Sequence, residues 1–247
     1  MSAVTEGRGM AELAALLADG TRAGICLALL DGRAWTAGEL ARRAGVAPST
    51  ASDHLTRLVR GGLLVEERQG RHRYLRLAGP SVAQLIENLV GHAPAPPAPT
   101  GSLRAASSGA ALAYARTCYD HLAGRLGVLM YDALLADGRL DRASGLTLTP
   151  DGWAWAAGLG VPVDVLRTAR RPVVRDCLDW TERRSHLAGA LGTALCRRFT
   201  ELGWTAPGAG RAVRLTAAGR PALAATLAIP EEALTPTQPP TPASGRA

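Results

Sequence analysis

The chain has 247 residues, enough for two small domains and too many for a single minimal one. Apolar residues make up 47% of it and aromatics only 4%, with Phe199 the one Phe, so its cores must be built from Leu, Ala and Val. That composition favours helices over β-sandwiches. No run reaches about 18 apolar residues, the N-terminus lacks a basic-then-apolar leader, and Cys26, Cys118, Cys177 and Cys196 contain no CxxC pair. A reduced, cytoplasmic protein without a membrane segment is expected. The formal charge is +7, and all 28 basic residues are Arg, whose forked head suits phosphate or carboxylate. Residues 33–76 hold nine Arg against four acids, whereas residues 1–31 hold two against four. Positive charge is therefore concentrated in one part of the first half.

Residues 8–92 read as one domain. Helical apolar spacing runs over 11–17 and 21–30, broken by Asp19-Gly20 and Asp31-Gly32. Thr36 with Glu39 three residues on has the layout of a capping box, and the helix it opens stops at Gly45. Pro48 suits the first turn of the next helix, PSTASDHLTRLVR, which ends at Gly61-Gly62. Its inward stripe is Ala51, Leu55, Leu58 and Val59, leaving Ser49, Ser52, Asp53, Thr56 and Arg57 outward. The stretch LLVEERQGRHRYLRL alternates on both sides of Gln69-Gly70, which predicts a hairpin, and a last helix follows Pro80.

Helix, helix, short turn, helix and basic hairpin is the order of a winged helix-turn-helix. The segment ELARRAGVAPSTASDHLTRLVRGGLLVEERQGRHRYLRL, preceded by DGTRAGICLALLDG, resembles the ArsR/SmtB family of bacterial repressors over about 80 residues, in the Ser52-x-His54-Leu55-x-x-Leu58 frame and the wing ending in Tyr74. The resemblance implies a homodimer on double-stranded operator DNA, paired through the outer helices near 11–17 and 81–90. Ser49, Thr50, Ser52, Asp53, Thr56 and Arg57 would face the major groove, and Arg68, Arg71, His72 and Arg73 the flanking backbone. Metal sensors of this family carry Cys-x-Cys on the helix before the turn, or paired Asp and His on the last helix. Here those helices read GELARRAG and SVAQLIENLVGH, and neither ligand set is present.

Residues 93–109 read as a Pro, Ala and Ser linker and residues 235–247 as a disordered tail. Between them, residues 110–234 contain an internal repeat. His121-Leu-Ala-Gly-x-Leu-Gly127 recurs 65 residues later as His186-Leu-Ala-Gly-x-Leu-Gly192, and LTLTPDG (146–152) maps onto VRLTAAG (213–219). Copies at about 116–166 and 182–234, each helix, loop, short strand and helix, are expected to pack as a pseudo-twofold pair. The expected fold class is mainly α with small β wings (α+β).

Cys118 and His121, three apart, read as one face of a helix. The segment CLDWTERRSH adds Cys177, Asp179 and His186. If the repeat axis brings the copies together, these five residues offer a zinc-type or other transition-metal site. The alternative is that the two His cap or pack across the axis and the thiols fill gaps. Trp153, Trp155, Trp180 and Trp204 similarly suit either a ligand pocket or a core. The function expected is a DNA-binding regulator, of repressor type, answering to a metal ion, a thiol oxidant at Cys118 or Cys177, or an organic ligand. A metal- or thiol-dependent enzyme, or a protein-interaction module, tethered to the DNA reader is the alternative; no Ser-x-x-Lys, GxSxG, P-loop or HExxH frame supports catalysis.

Overall fold

The computed structural model describes residues 3–70, 72–93 and 103–236. The chain divides into two compact units, Met1–Ile86 and Glu87–Ala247. In the first, α1 (Ala3–Leu17) and α2 (Gly20–Ala28) precede β1 (Trp35–Thr36), α3 (Ala37–Ala44) and α4 (Pro48–Arg60). A hairpin of β2 (Leu64–Gln69) and β3 (His72–Leu77) follows, and then α5 (Pro80–His92). The local chemistry read from sequence sets the boundaries. The Asp19 side chain accepts the Arg22 amide at the start of α2, and Thr36 and Glu39 close a reciprocal capping box on α3. Gly45 ends α3 at φ +67, and Pro48 opens α4. The buried stripe Ala51, Leu55 and Leu58 seats α4 on a core with Ile25, Leu29, Leu40 and Leu75. β3 is the centre of a three-stranded antiparallel sheet ordered β1-β3-β2. Among the described residues no single helix is long and apolar enough to cross a membrane.

The second unit holds α6 (Leu103–Tyr114), β4 (Arg116–Cys118), β5 (His121–Ala123), α7 (Arg125–Ala136), β6 (Leu140–Asp141), β7 (Thr147–Leu148), α8 (Pro150–Gly158) and α9 (Val163–Arg167). It continues with β8 (Arg175–Leu178), β9 (Ser185–Ala188), α10 (Gly189–Glu201), β10 (Thr205–Pro207), β11 (Val213–Leu215) and α11 (Gly219–Leu227). Hairpin, helix, hairpin, helix thus occurs twice, at β4–α8 and β8–α11. One Leu-rich core joins the two, with Leu122, Leu126, Met130 and Leu134 meeting Leu187, Leu191, Leu195 and Phe199.

Four sequence expectations are corrected. Cys118 and His121 do not share a helix: they are cross-strand partners in a two-residue hairpin, and helix begins only at Arg125. The second run of elements starts at Arg175 rather than 182, because its hairpin loop is longer. Residues 103–109, expected as linker, form the first part of α6, where an Ala-rich segment outweighs Gly109; residues 94–102 lie outside the described residues. The unit boundary falls within α5 rather than at residue 92, because Glu87 is buried and accepts from Arg211 Nη1 at 2.9 Å. Of the expected tail, residues 237–247 lie outside the described residues.

Candidate nucleic-acid interface and thiol–imidazole cluster

The outward side of α4 carries Ser49, Thr50, Ser52, Asp53 and Arg57 in the open, above the buried Ala51, Leu55 and Leu58. Thr56 is half-buried, and its hydroxyl donates to the Ser52 carbonyl at 2.8 Å, so it is tied to its own helix. On the wing, Arg68 and His72 are exposed, at paired or neighbouring rungs of β2 and β3. Arg73 Nε donates to Glu66 across the hairpin at 2.7 Å, which neutralises it in place. Arg71 lies outside the described residues. Ala47 caps α4 without a side-chain acceptor, so the first-turn amides keep their donor capacity for an anion.

In the second unit, each first-position hairpin contributes one thiol and one imidazole as a cross-strand pair: Cys118 opposite His121, and Cys177 opposite His186. The two hairpins lie against each other through β5 and β9. One ligand atom from each of the four residues falls within 4.8 Å of every other. The two Sγ atoms are 3.8 Å apart and the two Nε2 atoms 3.2 Å. The imidazoles are stacked with their centroids 5.1 Å apart, and all four side chains are buried. Close approach of helices to this cluster is permitted by glycine. Gly127 on α7 lies beside His186 and Gly192 on α10 beside His121; a Cβ at either would stand 2.6 or 2.5 Å from a backbone carbonyl.

Behind each imidazole stands a carboxylate, and behind each carboxylate an arginine. His121 Nδ1 is 3.1 Å from Asp120, which accepts from Arg171 at 2.6 Å. His186 Nδ1 is 3.5 Å from Asp179, which accepts from Arg116 at 2.9 Å with both side chains fully buried. Asp179 also accepts from the amides of Gly124, Thr181 and Glu182. Burial alone would raise both aspartates, but His121 and Arg171 hold Asp120, and Arg116 with its amide donors holds Asp179, well below the usual carboxylate range. Burial likewise opposes a charge on His121, and Asp120 with Cys177 outweighs it and moves that pKa up. The Cys118 thiol, hydrogen-bonded to Cys177 in a buried setting near Glu87, is pushed well up; Cys177, bonded to Cys118 and flanked by both imidazoles, is pulled down against its burial. The set thus brings two sulfurs and two imidazoles to one buried point.

Sequence reading singled out all four of these residues, and the structure brings them together. Asp179 it grouped with them as a ligand; the structure sets it one layer out, behind His186. Asp120, Arg116 and Arg171 were missed, because an orienting carboxylate needs no fixed spacing from the histidine it serves. Arg167 lies over Trp153 at 4.4 Å, Arg139 over Trp155 at 5.0 Å and Arg116 over Trp180 at 4.6 Å, while Trp204 stacks on Phe199 at 5.4 Å.

A family described as a helix-turn-helix domain matches residues 17–67, the span from the end of α1 into β2. The chain is 42% identical over 213 residues to YdfF of Bacillus subtilis, described as an uncharacterized HTH-type transcriptional regulator; the match covers 85% of this chain and 93% of YdfF, and so extends through both units. It is 40% identical over 81 residues to the HTH-type transcriptional regulator CmtR of Mycobacterium tuberculosis, covering 33% of this chain and 68% of CmtR. Among solved structures, the homodimeric winged helix-turn-helix domain of Mb0332 from Mycobacterium bovis, a possible ArsR-family regulator, is 31% identical with a TM-score of 0.34, covering 36% of this chain and 83% of that one. The chain belongs to the HTH-type transcriptional regulators, and its first unit is their winged helix-turn-helix DNA-binding domain.

Proposed function

We propose that this regulator is a cytoplasmic homodimer that represses by binding an operator, and that its second unit senses an effector and thereby changes operator affinity. The observation that carries the reading is the open Ser49, Thr50, Ser52 and Asp53 surface of α4 beside an arginine-bearing wing. The three hydroxyls donate to phosphates and base edges, and Asp53 accepts from a cytosine amine. Arg57, Arg68, Arg71 and His72 meet the flanking phosphates. Thr56 and Arg73 act by keeping helix and wing in shape, given their internal bonds to Ser52 and Glu66.

Pairing of two chains uses the outer helices α1 and α5. From residue 7 onward no side chain of α1 is fully buried, and Met10 is 73% exposed although the helix is rich in Ala and Leu. A second copy supplies the cover such a helix lacks, and sets two α4 helices one DNA turn apart. The reading of the second unit as a sensor is supported by the burial of its cluster of reactive side chains. An effector acts there only through its different affinity for the DNA-competent and DNA-incompetent arrangements.

The test is fluorescence anisotropy of the full chain on labelled DNA from upstream of its own gene, against scrambled DNA of equal length. Specific, dimer-stoichiometric binding that is lost in Arg57→Ala with Arg68→Ala is expected. Equal affinity for both DNAs would overturn the reading.

A further inference from the structure

We propose that Cys118, His121, Cys177 and His186 form a closed four-ligand site for one tetrahedral divalent cation of the zinc class, clamping the β4–β5 hairpin to the β8–β9 hairpin. The inference deepens the reading of the second unit as a sensor by naming its ligand class, and rests on that reading only for the consequence at the operator.

The sulfur–sulfur and nitrogen–nitrogen spacings match two edges of a tetrahedron of the right size, and all four atoms lie within 4.8 Å of one another. Zinc takes thiolate sulfur at about 2.3 Å and imidazole nitrogen at about 2.0–2.1 Å, which sets the S–S edge near 3.8 Å and the N–N edge near 3.3 Å. The observed edges are 3.8 Å and 3.2 Å.

The orientation of the imidazoles points the same way. Each Nδ1 is turned to a carboxylate, Asp120 or Asp179. A ring that keeps its proton on Nδ1 for that carboxylate presents a bare lone pair at Nε2. The two Nε2 atoms face each other, so two lone pairs and two sulfurs converge on one buried point, an arrangement that a shared cation resolves. Carboxylates that fix the tautomer and aim of a ligating imidazole are the usual outer layer of a metal site; here Asp120 is hydrogen-bonded to His121 at 3.1 Å, and Asp179 stands 3.5 Å from His186 Nδ1, which makes no hydrogen bond. Arg171 and Arg116 in turn hold those carboxylates.

The donor set defines the class. Two sulfurs and two nitrogens suit Zn(II), Cd(II) and Co(II); a set without oxygen does not suit Mg(II) or Ca(II). Binding replaces the thiol protons, two Cys–SH and M²⁺ giving a neutral M(S-Cys)₂(N-His)₂ centre and two released protons, and a neutral centre fits a buried position. Ala123 and Ala188 are the small residues packed with the sulfurs, and the buried Glu87 carboxylate stands beside Cys118.

The experiment uses the full chain, purified under reducing conditions, stripped with a chelator and titrated with Co(II). One equivalent is expected to give the intense visible bands of tetrahedral cobalt with near-ultraviolet thiolate charge transfer. Zn(II) and Cd(II) should abolish the bands, Mg(II) and Ca(II) should leave them, and Zn(II) should raise the unfolding temperature. Cys118→Ser and His186→Gln should lose the signal, while Cys26→Ser and Cys196→Ser keep it. Should the ligand variants misfold by near-ultraviolet dichroism, Asp120→Asn keeps all four donors and should bind one equivalent about 10- to 100-fold more weakly. A pale octahedral spectrum, no saturable binding, or Asp120→Asn and Cys118→Ser both indistinguishable from the parent would overturn the proposal. Operator binding is measured on the same samples: a chain that binds its operator but no metal refutes this inference alone, and one that binds metal but no operator refutes the regulator reading alone.

Discussion

Arg116 donates to Asp179 at 2.9 Å with neither side chain reached by solvent, and the same Asp179 stands behind His186. A buried ion pair adds little net stability while intact, but removing one member leaves the other charge stranded. Arg116→Met should therefore destabilise the second unit by about 3–5 kcal/mol. Urea unfolding followed by Trp fluorescence reads this directly, since four of the five tryptophans (Trp153, Trp155, Trp180, Trp204) lie in that unit. The double change Arg116→Met with Asp179→Leu should recover part of the loss and no more, because the Gly124, Thr181 and Glu182 amides then lose their acceptor.

Gly192→Ala tests the close approach of α10 to His121. The new methyl would stand 2.5 Å from the Leu187 carbonyl oxygen and 3.3 Å from His121 Cβ, and backbone cannot swing aside as a side-chain tip can. A loss of about 1–3 kcal/mol is expected from the forced shift. Gly158→Ala, at the end of α8 where nothing lies within 4 Å, is the matched control and should be neutral or slightly stabilising. Equal unfolding midpoints for the two variants would contradict the packing described.

These contrasts explain how far the sequence could be read. In the first unit every boundary carries a local signal: the Asp19 cap, the Thr36–Glu39 box, Gly45, Pro48 and the Gln69-Gly70 turn all stand where helices and hairpin start or stop. In the second unit the hairpins hide. Cys118 and His121 are spaced as neighbours on a helix face, and the turn between them has Tyr119 at φ +58, where the rules of turn chemistry look for Gly or Asn. The second hairpin has a longer loop, so its cysteine lies 59 residues from Cys118 while its histidine lies 65 from His121. No single offset aligns both. The identity of the four site residues is legible in the sequence, the two histidines as matched positions of the repeat and the two cysteines off its 65-residue offset; the cross-strand pairing that brings them together is not.

On the wing, Arg68 and Arg73 should behave differently despite equal charge. Arg68 is 77% exposed along its side chain and lies 3.8 Å from Glu66 without a hydrogen bond to it, whereas Arg73 is 20% exposed and hydrogen-bonded to Glu66 at 2.7 Å. Arg68→Ala should weaken binding to all sequences alike and reduce the slope of log K against log salt by about 0.9. Arg73→Ala should weaken binding through loss of wing geometry with little change in slope, because its charge is already matched. Anisotropy titrations at several salt concentrations separate the two, and identical slopes in both variants would refute the assignment.

Met10, 73% exposed on an otherwise Ala- and Leu-rich α1, tests the pairing of two chains. An exposed side chain adds nothing to folding of the single chain, so Met10→Glu should leave the unfolding midpoint of the dilute protein unchanged. At a dimer interface the same change forfeits the burial of a Met side chain, about 1.5–3 kcal/mol, and should raise the dimer dissociation constant roughly 10- to 100-fold. Sedimentation over a range of concentrations reads the dimer, and operator binding should turn from hyperbolic to steeply concentration-dependent in the same range, because one chain alone reaches one half-site. A variant that stays as dimeric as the parent would place the interface elsewhere on the molecule.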